Sequence, residues 1–337
     1  MPWTFPLCPA PPDWRLDWPA IEEALPVLAT LTGVPQDPVW HAEGDVRTHT
    51  RLVAQSMITD PDWQALTEEN RCIAFLSAIL HDIGKGPTTR IEDGSVSSPR
   101  HSVIGQRMAR RLLWESEQAL PFAIREAITG LVRYHGLPLM FIEKPSPERS
   151  VIESSMTIRN DHVAILARAD VLGRICPDPR ELLDRIALFR ELCAEQNCLT
   201  GPKAFASDHH RFFYFNAHTD YAYVPYDDTR CEATLLSGLP ATGKDYWVTH
   251  HGQDVPVISL DDIRSEMEIS PAQSQGAVAN AAKDQAREYL RQHRSFIWNA
   301  TNITKDLRQQ LISLFANYKA RVRIVYVECP PDEQRRR

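Results

Sequence analysis

Residues 72–85 read Cys-Ile-Ala-Phe-Leu-Ser-Ala-Ile-Leu-His-Asp-Ile-Gly-Lys. An apolar run broken only by Ser77 leads straight into an adjacent imidazole and carboxylate, His81 and Asp82, with Lys85 one turn further on. Apolar residues on every side predict a helix buried all round, whose last turn delivers a polar pair into the interior. The run 73–80 is far too short to span a bilayer. A buried His-Asp pair is costly unless it finds partners, and the flanking sequence offers them.

From 46 to 198 apolar residues recur at three- and four-residue spacing with few strand-like alternations. That pattern predicts helices at 46–58, 68–82, 101–117, 121–134, 160–175 and 179–195. Gly84, Gly136 and Gly173 fall near helix ends, where left-handed backbone is expected. His49 shares the inward face of its helix with Leu52, Val53 and Ser56. His101 shares a face with Ile104, Gly105 and Met108, His135 lies in line with Ile124, Ile128 and Leu131, and Asp170 with Val163, Leu166 and Ala167.

One histidine on an apolar face is ordinarily a satisfied core residue. Four histidines and two aspartates pointing into one helical domain carry a desolvation cost that a shared metal ion would offset. Imidazole and carboxylate ligands suit Mn, Fe, Co, Ni or Zn rather than Ca. His81 can bind one ion while Asp82 bridges to a second, and two ions can clamp the attacking and leaving oxygens of a phosphoester. Lys85 is placed to offset phosphate charge, although a solvated lysine at a helix end fits the same position; Arg174, one turn after Asp170, is a weaker candidate for that task.

The second half reads differently. Residues 233–237 predict a strand, followed by Gly-Leu-Pro-Ala-Thr-Gly-Lys-Asp (238–245) and then a helix. Further strands are predicted at 255–259, 296–298 and 322–327, with helices at 276–292 and 304–318. Alternating β and α predicts a parallel sheet. A glycine-rich turn between a strand and a helix is the context of a phosphate-binding P-loop. Gly238, Leu239, Pro240, Ala241, Thr242 and Gly243 would offer backbone N–H groups to phosphates, and Lys244 would reach the β/γ-phosphates. Asp245 stands where Ser or Thr normally contacts Mg²⁺, and could bind the ion directly or through water. After the next strand, Ser-Leu-Asp-Asp-Ile-Arg (259–264) puts carboxylates at a strand's C-terminal end, where ligands bind. Asp261 could take a proton from an acceptor hydroxyl and Arg264 could hold an acceptor phosphate. Asp261 and Asp262 equally fit the start of a helix as cap and first-turn acids.

The chain is expected to divide into a Pro/Trp-rich segment (1–40) with one helix around 19–31 and the remainder wrapped over a neighbouring domain, an all-α metal domain (41–200), an aromatic-rich connector (201–230) and an α/β domain (231–337). Its 337 residues fit two domains at ~150 residues each. Hydrophobic residues make up 43% and charged residues 24%, an ordinary globular balance. A net charge of -7 argues against non-specific coating of nucleic acid, which needs many Lys/Arg–phosphate contacts. Seven scattered cysteines without a CxxC pair predict reduced thiols. No signal peptide or membrane span is predicted, so a soluble, cytoplasmic protein is expected. The oligomeric state is not legible.

The run His-Ala-Glu-Gly-Asp-Val-Arg-Thr-His-Thr (41–50), Leu-His-Asp-Ile-Gly-Lys (80–85), His101, His135 and Arg-Ala-Asp (168–170) resembles the HD phosphohydrolase superfamily. In local flavour it is similar to the HD domain of tRNA nucleotidyltransferases. The resemblance implies one ion held by His49, His81, Asp82 and Asp170 and a second by His101 and His135, with Asp82 bridging. The Gly-Leu-Pro-x-x-Gly-Lys loop, the Ser-x-Asp-Asp-x-Arg segment and Trp-Asn-Ala-Thr-Asn (298–302) resemble 5′-OH polynucleotide kinases of AAA type. The layout as a whole, over nearly the full chain, resembles the bacterial bifunctional HD-Pnk family.

That resemblance implies an RNA end-healing enzyme using transition-metal ions, ATP and Mg²⁺. Its HD half would remove 2′- or 3′-terminal and 2′,3′-cyclic phosphates, and its kinase half would phosphorylate a 5′-OH. It implies Asp261 as general base, Arg264 as acceptor contact and Asn302 near the phosphates. RNA or DNA ends would be the partners, with a ligase acting downstream. Kinases of this kind carry an arginine-bearing lid after the last strand. Here about 105 residues end at Arg335-Arg336-Arg337, so either the lid is reduced to that tail or the chain is truncated. Two other readings fit the residues: an HD nucleotide phosphohydrolase fused to a small-metabolite kinase, or one regulated by an ATP-binding, non-catalytic P-loop domain.

Overall fold

The computed structural model describes residues 2–116, 120–252, 254–270, 273 and 275–336. Position 117, the expected end of one helix, and Arg337 of the arginine tail lie outside them. Two compact units emerge, Met1–Ala204 and Phe205–Arg337. None of the seven cysteines is in a disulfide. Among the described residues no helix is long and apolar enough to cross a membrane.

The first unit is built around helix Glu68–Leu80, in which every residue from Cys72 to Leu80 is buried. Thr67 caps its start by accepting from Asn70 N, and His81 follows its last turn. Helices Val46–Ile58, Phe122–Tyr134 and Asn160–Leu172 surround it, His101–Trp114 packs on Phe122–Tyr134, and Pro179–Glu195 packs outside Asn160–Leu172. Asp45 caps Val46–Ile58 through Thr48 N at 2.9 Å. The bidentate ion pair of Arg168 with Asp60, both contacts 2.6 Å, ties helix Asn160–Leu172 to the end of Val46–Ile58.

The expected helices are present, with ends shifted by at most three residues. One other expectation needs correction. Residues 19–31 form two pieces, Trp18–Ala24 and a 3₁₀ turn Pro26–Leu31, because Pro26 cannot continue the first helix. The helical unit also carries one small antiparallel hairpin, β1 (Arg90–Glu92) and β2 (Ser95–Ser97). Its Asp93-Gly94 turn has φ values of 50° and 78°, the arrangement for which Asp-Gly is favoured. The N-terminal segment lies on the helices that follow it: Trp3 N donates to Glu69 at 2.7 Å, and the rings of Trp14 and Trp63 meet edge-on at 5.4 Å.

The glycines near helix ends serve a different purpose from the one expected. Gly84, Gly136 and Gly173 have φ of -71°, -81° and -81°, all right-handed. A Cβ on Gly84 would lie 2.1 Å from the His101 carbonyl oxygen and 2.6 Å from Gly105 N. A Cβ on Gly173 would lie 2.7 Å from Val53 N. Backbone closeness is what these two positions require, and it brings His101 and His49 inward.

In the second unit, β3 (Cys231–Ser237), β4 (Val257–Ser259), β5 (Phe296–Asn299) and β6 (Ala320–Tyr326) form a fully parallel sheet in the order β4-β5-β3-β6. Helices Gly276–Arg291 and Lys305–Asn317 contribute Ala282, Ala286, Leu290, Leu311 and Phe315 to a core shared with Ala233, Leu235, Phe296 and Trp298. Parallel pairing places the carboxyl ends of β3, β4 and β5 along one edge. Of the expected connector, 201–204 belongs to the first unit and 205–230 to the second. There helix Asp208–Asn216 and Phe205, Tyr214 and Tyr221 form an aromatic cluster.

Gly84→Ala is expected to cost about 1–3 kcal/mol in denaturant unfolding, because two backbone segments must separate. Gly136→Ala, where an added Cβ meets nothing within 4 Å, is expected to stay within about 0.5 kcal/mol.

Candidate functional site

The six expected ligands converge at the end of helix Glu68–Leu80. Asp82 Oδ2 lies 3.2 Å from His81 Nε2 and 3.8 Å from His49 Nε2, while its Oδ1 lies 3.6 Å from His101 Nε2 and 3.8 Å from His135 Nε2. Asp170 Oδ1 lies 3.0 Å from His49 Nε2. The donor atoms fall into two clusters, His49-His81-Asp170 and Asp82-His101-His135, each compact enough for one cation. Asp82 faces both through different oxygens.

The backbone sets which nitrogen faces inward. His81, His101 and His135 each direct Nδ1 at the carbonyl three residues earlier: Ala78 at 2.7 Å, Ser98 at 2.9 Å and Val132 at 2.8 Å. A carbonyl only accepts, so Nδ1 carries the proton and Nε2 turns a lone pair towards the centre. Such bonds orient metal ligands in known sites.

Buried atoms without partners test whether ions fit. His49 Nδ1 and Nε2, His81 Nε2 and Asp82 Oδ1 are all buried without a hydrogen bond. Each such group costs about 1–3 kcal/mol if left unsatisfied, and three of the four point into the two clusters. For His81 burial works against the charged form but the Asp82 carboxylate raises its pKa; the carboxylates and His135 are in their metal-binding forms. Burial works against the Asp82 and Asp170 carboxylates, but His81 and Lys85 on the first, and Arg174 and His49 on the second, hold both well below the usual range. Burial pushes His135 down to about 3, so it stays neutral. Ionised carboxylates and a neutral imidazole are the forms that bind metal. The residues fit two divalent ions.

Lys85 is buried rather than solvated, with Nζ 2.8 Å from Asp82 Oδ2 and 2.7 Å from Gln36 Oε1. Arg174 grips Asp170 through both nitrogens, Nε at 3.0 Å and a shorter contact from Nη2, so its guanidinium is engaged with a ligand rather than free for substrate. Sequence reasoning missed His41, Glu43 and Gln36. Glu43 Oε1 accepts from His41 Nδ1 at 2.8 Å and lies 2.9 Å from His49 Nδ1, out of line for a hydrogen bond, while its Oε2 accepts from Ile175 N at 2.8 Å. For His41 and Glu43 the signal was the polar run 41–50 leading into the His49 helix turn; Gln36 lies outside it. His101, with 28% of its side chain exposed, marks the open side of a site whose other ligands are almost fully enclosed.

In the second unit the expected loop follows β3 and leads into helix Lys244–His251. Ala241 and Gly243 take φ of 62° and 98°, folding Gly238 to Gly243 into a tight turn with Leu239, Pro240 and Thr242 between. Lys244 Nζ lies over that turn, donating to the carbonyls of Leu239 at 2.8 Å and Gly238 at 3.2 Å, and burial lowers its pKa. Asp245 accepts from Asn299 Nδ2 at 2.6 Å. Asp261 lies in the first turn of helix Leu260–Glu266 and Arg264 in its last; the two form an ion pair, and Arg264 Nε also donates to Gln275 at 2.7 Å. Ser259, rather than an aspartate, caps this helix through Asp262 N, and Asp261 and Asp262 are its first-turn acids, with Asp261 exposed. Asn302 differs from its expected role. It is buried and donates to the Leu236 carbonyl at 2.7 Å, tying the segment after β5 to β3.

Residues 46–175 match the family model of the HD domain, and residues 234–337 match that of an AAA domain. The chain is an HD domain followed by an AAA domain. The HD domain is similar to those of multifunctional CCA proteins. Among these, a protein of Halorhodospira halophila is 30% identical over 34% of this chain and 25% of its own length. One of Vibrio vulnificus is 38% identical over 28% and 20%, and one of an Acidovorax species 32% over 37% and 26%. The chain spans about a quarter or less of the length of these relatives. No solved structure matches it significantly. An HD domain and a P-loop domain give the chain hydrolase and kinase potential, and the His/Asp clusters form a possible metal site.

Elemental analysis of the purified chain is expected to find two divalent ions, with His101→Ala retaining about one and Asp82→Ala neither. Stripping the ions with a chelator should lower the thermal midpoint. At a free-ion concentration of 100 Kd each ion contributes about 2.7 kcal/mol.

Proposed function

We propose that the chain heals nucleic-acid ends: the HD domain hydrolyses 2′- or 3′-terminal and 2′,3′-cyclic phosphates, and the AAA domain moves the γ-phosphate of ATP to a 5′-OH. The observation that carries this reading is the presence in one chain of a two-cluster His/Asp centre and a phosphate loop beside an acid–arginine pair. One chemistry removes phosphate and the other adds it, which is what a break with a 5′-OH and a phosphate-bearing 3′ end requires. The name of the relatives refers to a nucleotide sequence, CCA, which supports a nucleic-acid substrate.

In the HD domain, His49, His81 and Asp170 would hold one ion, His101 and His135 the other, with Asp82 between. The ions would supply Lewis acidity to the phosphate oxygens. Lys85, fixed by Gln36 and Asp82, places a positive charge at the cluster edge, where it offsets charge gathering on the phosphate. The exposed edge of His101 is the side from which a strand end enters. In the AAA domain, Lys244 would exchange its loop carbonyls for the β/γ-phosphates. Asp261 would accept the 5′-hydroxyl proton as that oxygen bonds to the γ-phosphorus and ADP leaves. Arg264, steadied by Gln275, would hold the neighbouring phosphate. A ligase that joins 5′-phosphate and 3′-OH ends would consume the product.

The test is one oligonucleotide with a 5′-OH and a 2′,3′-cyclic phosphate, incubated with Mn²⁺, Mg²⁺ and radiolabelled ATP. The native chain should open the cyclic phosphate and label the 5′ end. His81→Ala/Asp82→Ala should label without opening, and Lys244→Ala should open without labelling. Activity of both sites on free nucleotides, with oligonucleotide ends untouched, would refute end healing.

A further inference from the structure

The P-loop of this chain lacks the residue that usually helps to hold its magnesium. In P-loop NTPases the ion is held by a Ser or Thr directly after the loop lysine and by an Asp elsewhere in the site. The carboxylate supplies charge and the hydroxyl is neutral. Here the residue after Lys244 is Asp245, in the first turn of helix Lys244–His251. At the carboxyl end of β5, the strand beside β3, stands the neutral Asn299.

These two side chains meet. Asn299 Nδ2 donates to Asp245 Oδ1 at 2.6 Å, a bond between residues 54 apart in sequence. Parallel pairing of β3 with β5, Leu235 opposite Trp298, brings the end of β5 to the mouth of the loop. Lys244 stands next to Asp245, and the carboxylates of Asp245 and Asp261 both act on its ammonium group, working against the burial that lowers its pKa. Asp245 Oδ1 is occupied by the amide, which leaves Oδ2 for a cation. Asn299 leaves its carbonyl oxygen, a second neutral ligand of the hard-oxygen type that Mg²⁺ prefers.

We infer that Asp245 and Asn299 form an exchanged magnesium pair, with the carboxylate carried by the loop and the neutral partner by the strand. The ion's charge requirement is met by one carboxylate in either arrangement. Asp245 is then the residue that makes nucleotide binding depend on Mg²⁺, and Asn299 is a positioning residue that fixes its carboxylate. A carboxylate beside the β/γ-phosphates also has a consequence of its own. Without the cation it repels them, so ATP should bind more weakly in the absence of Mg²⁺ than a P-loop with Ser at this position would allow. The inference rests on reading 238–244 as a phosphate loop.

The test is calorimetric titration of the full chain with the β,γ-imido analogue of ATP, with and without Mg²⁺, with circular dichroism to confirm that each variant is folded. In the native chain Mg²⁺ should tighten binding strongly. Asp245→Ala should bind the analogue nearly alike in both conditions, through gained affinity without Mg²⁺ and lost affinity with it. Asn299→Ala should raise the Mg²⁺ concentration needed by on the order of 10- to 100-fold, the usual cost of losing a residue that orients a ligand. The double exchange Asp245→Ser/Asn299→Asp should restore the native Mg²⁺ dependence. Undiminished Mg²⁺ dependence in Asp245→Ala, or a folded exchange variant that fails to recover it, would overturn the inference. A native chain that binds the analogue in neither condition would instead remove the phosphate-loop reading beneath it.

Discussion

Asp82 is a carboxylate with 2% of its surface exposed, four imidazoles within 3.8 Å and the Lys85 ammonium at 2.8 Å. Much else in the helical unit follows from the need to satisfy it. An isolated buried carboxylate would take up a proton, because ionisation in an apolar interior is heavily penalised. This one stays ionised because neighbouring groups supply positive charge or aligned nitrogen. They come from the helices Val46–Ile58 and His101–Trp114, from just past the ends of Glu68–Leu80 and Phe122–Tyr134, where His81 and His135 lie, and from Lys85, so the bundle must close tightly at one end.

That closure is a matter of backbone distance. Gly84 and Gly173 let chain segments approach to separations that any side chain would prevent. Nδ1 bonds to carbonyls at i−3 then turn three of the imidazoles inward without help from other side chains. His49 is the exception, since its own Nδ1 faces the Glu43 carboxylate, and Glu43 is itself pinned by Ile175 N. The segment after Asp170 and the segment before His49 are thereby joined next to the cluster.

The second unit solves a different problem with the same economy. Parallel strands place their carboxyl ends along one edge, and backbone there is free to turn. Loop, acid–arginine pair and Asn299 all lie at the ends of β3, β4 and β5 for this reason. Asn302 shows the structural cost of such an edge. Its amide is spent on the Leu236 carbonyl, a bond that holds the sheet end in shape instead of facing a ligand.

Helix and strand positions were legible in the sequence because burial imposes a period of 3.6 or 2 on apolar residues, and the convergence of the six His and Asp residues was legible because polar residues on those apolar faces need a common partner. The P-loop was legible as glycines set between a strand and a helix. Other features depended on who meets whom. The sequence could not tell that Lys85 is buried against Gln36, 49 residues away, or that Arg174 serves Asp170 rather than a substrate. It suggested left-handed glycines where the structure needs close approach, since both demands select the same residue type. The Asp93-Gly94 hairpin carried a readable signal, whereas the Asp245–Asn299 contact carried none. Local patterns decide which segments are helix, strand or loop, because those follow from neighbours along the chain; the pairing of charges and amides across distant segments is decided only when the chain closes on itself.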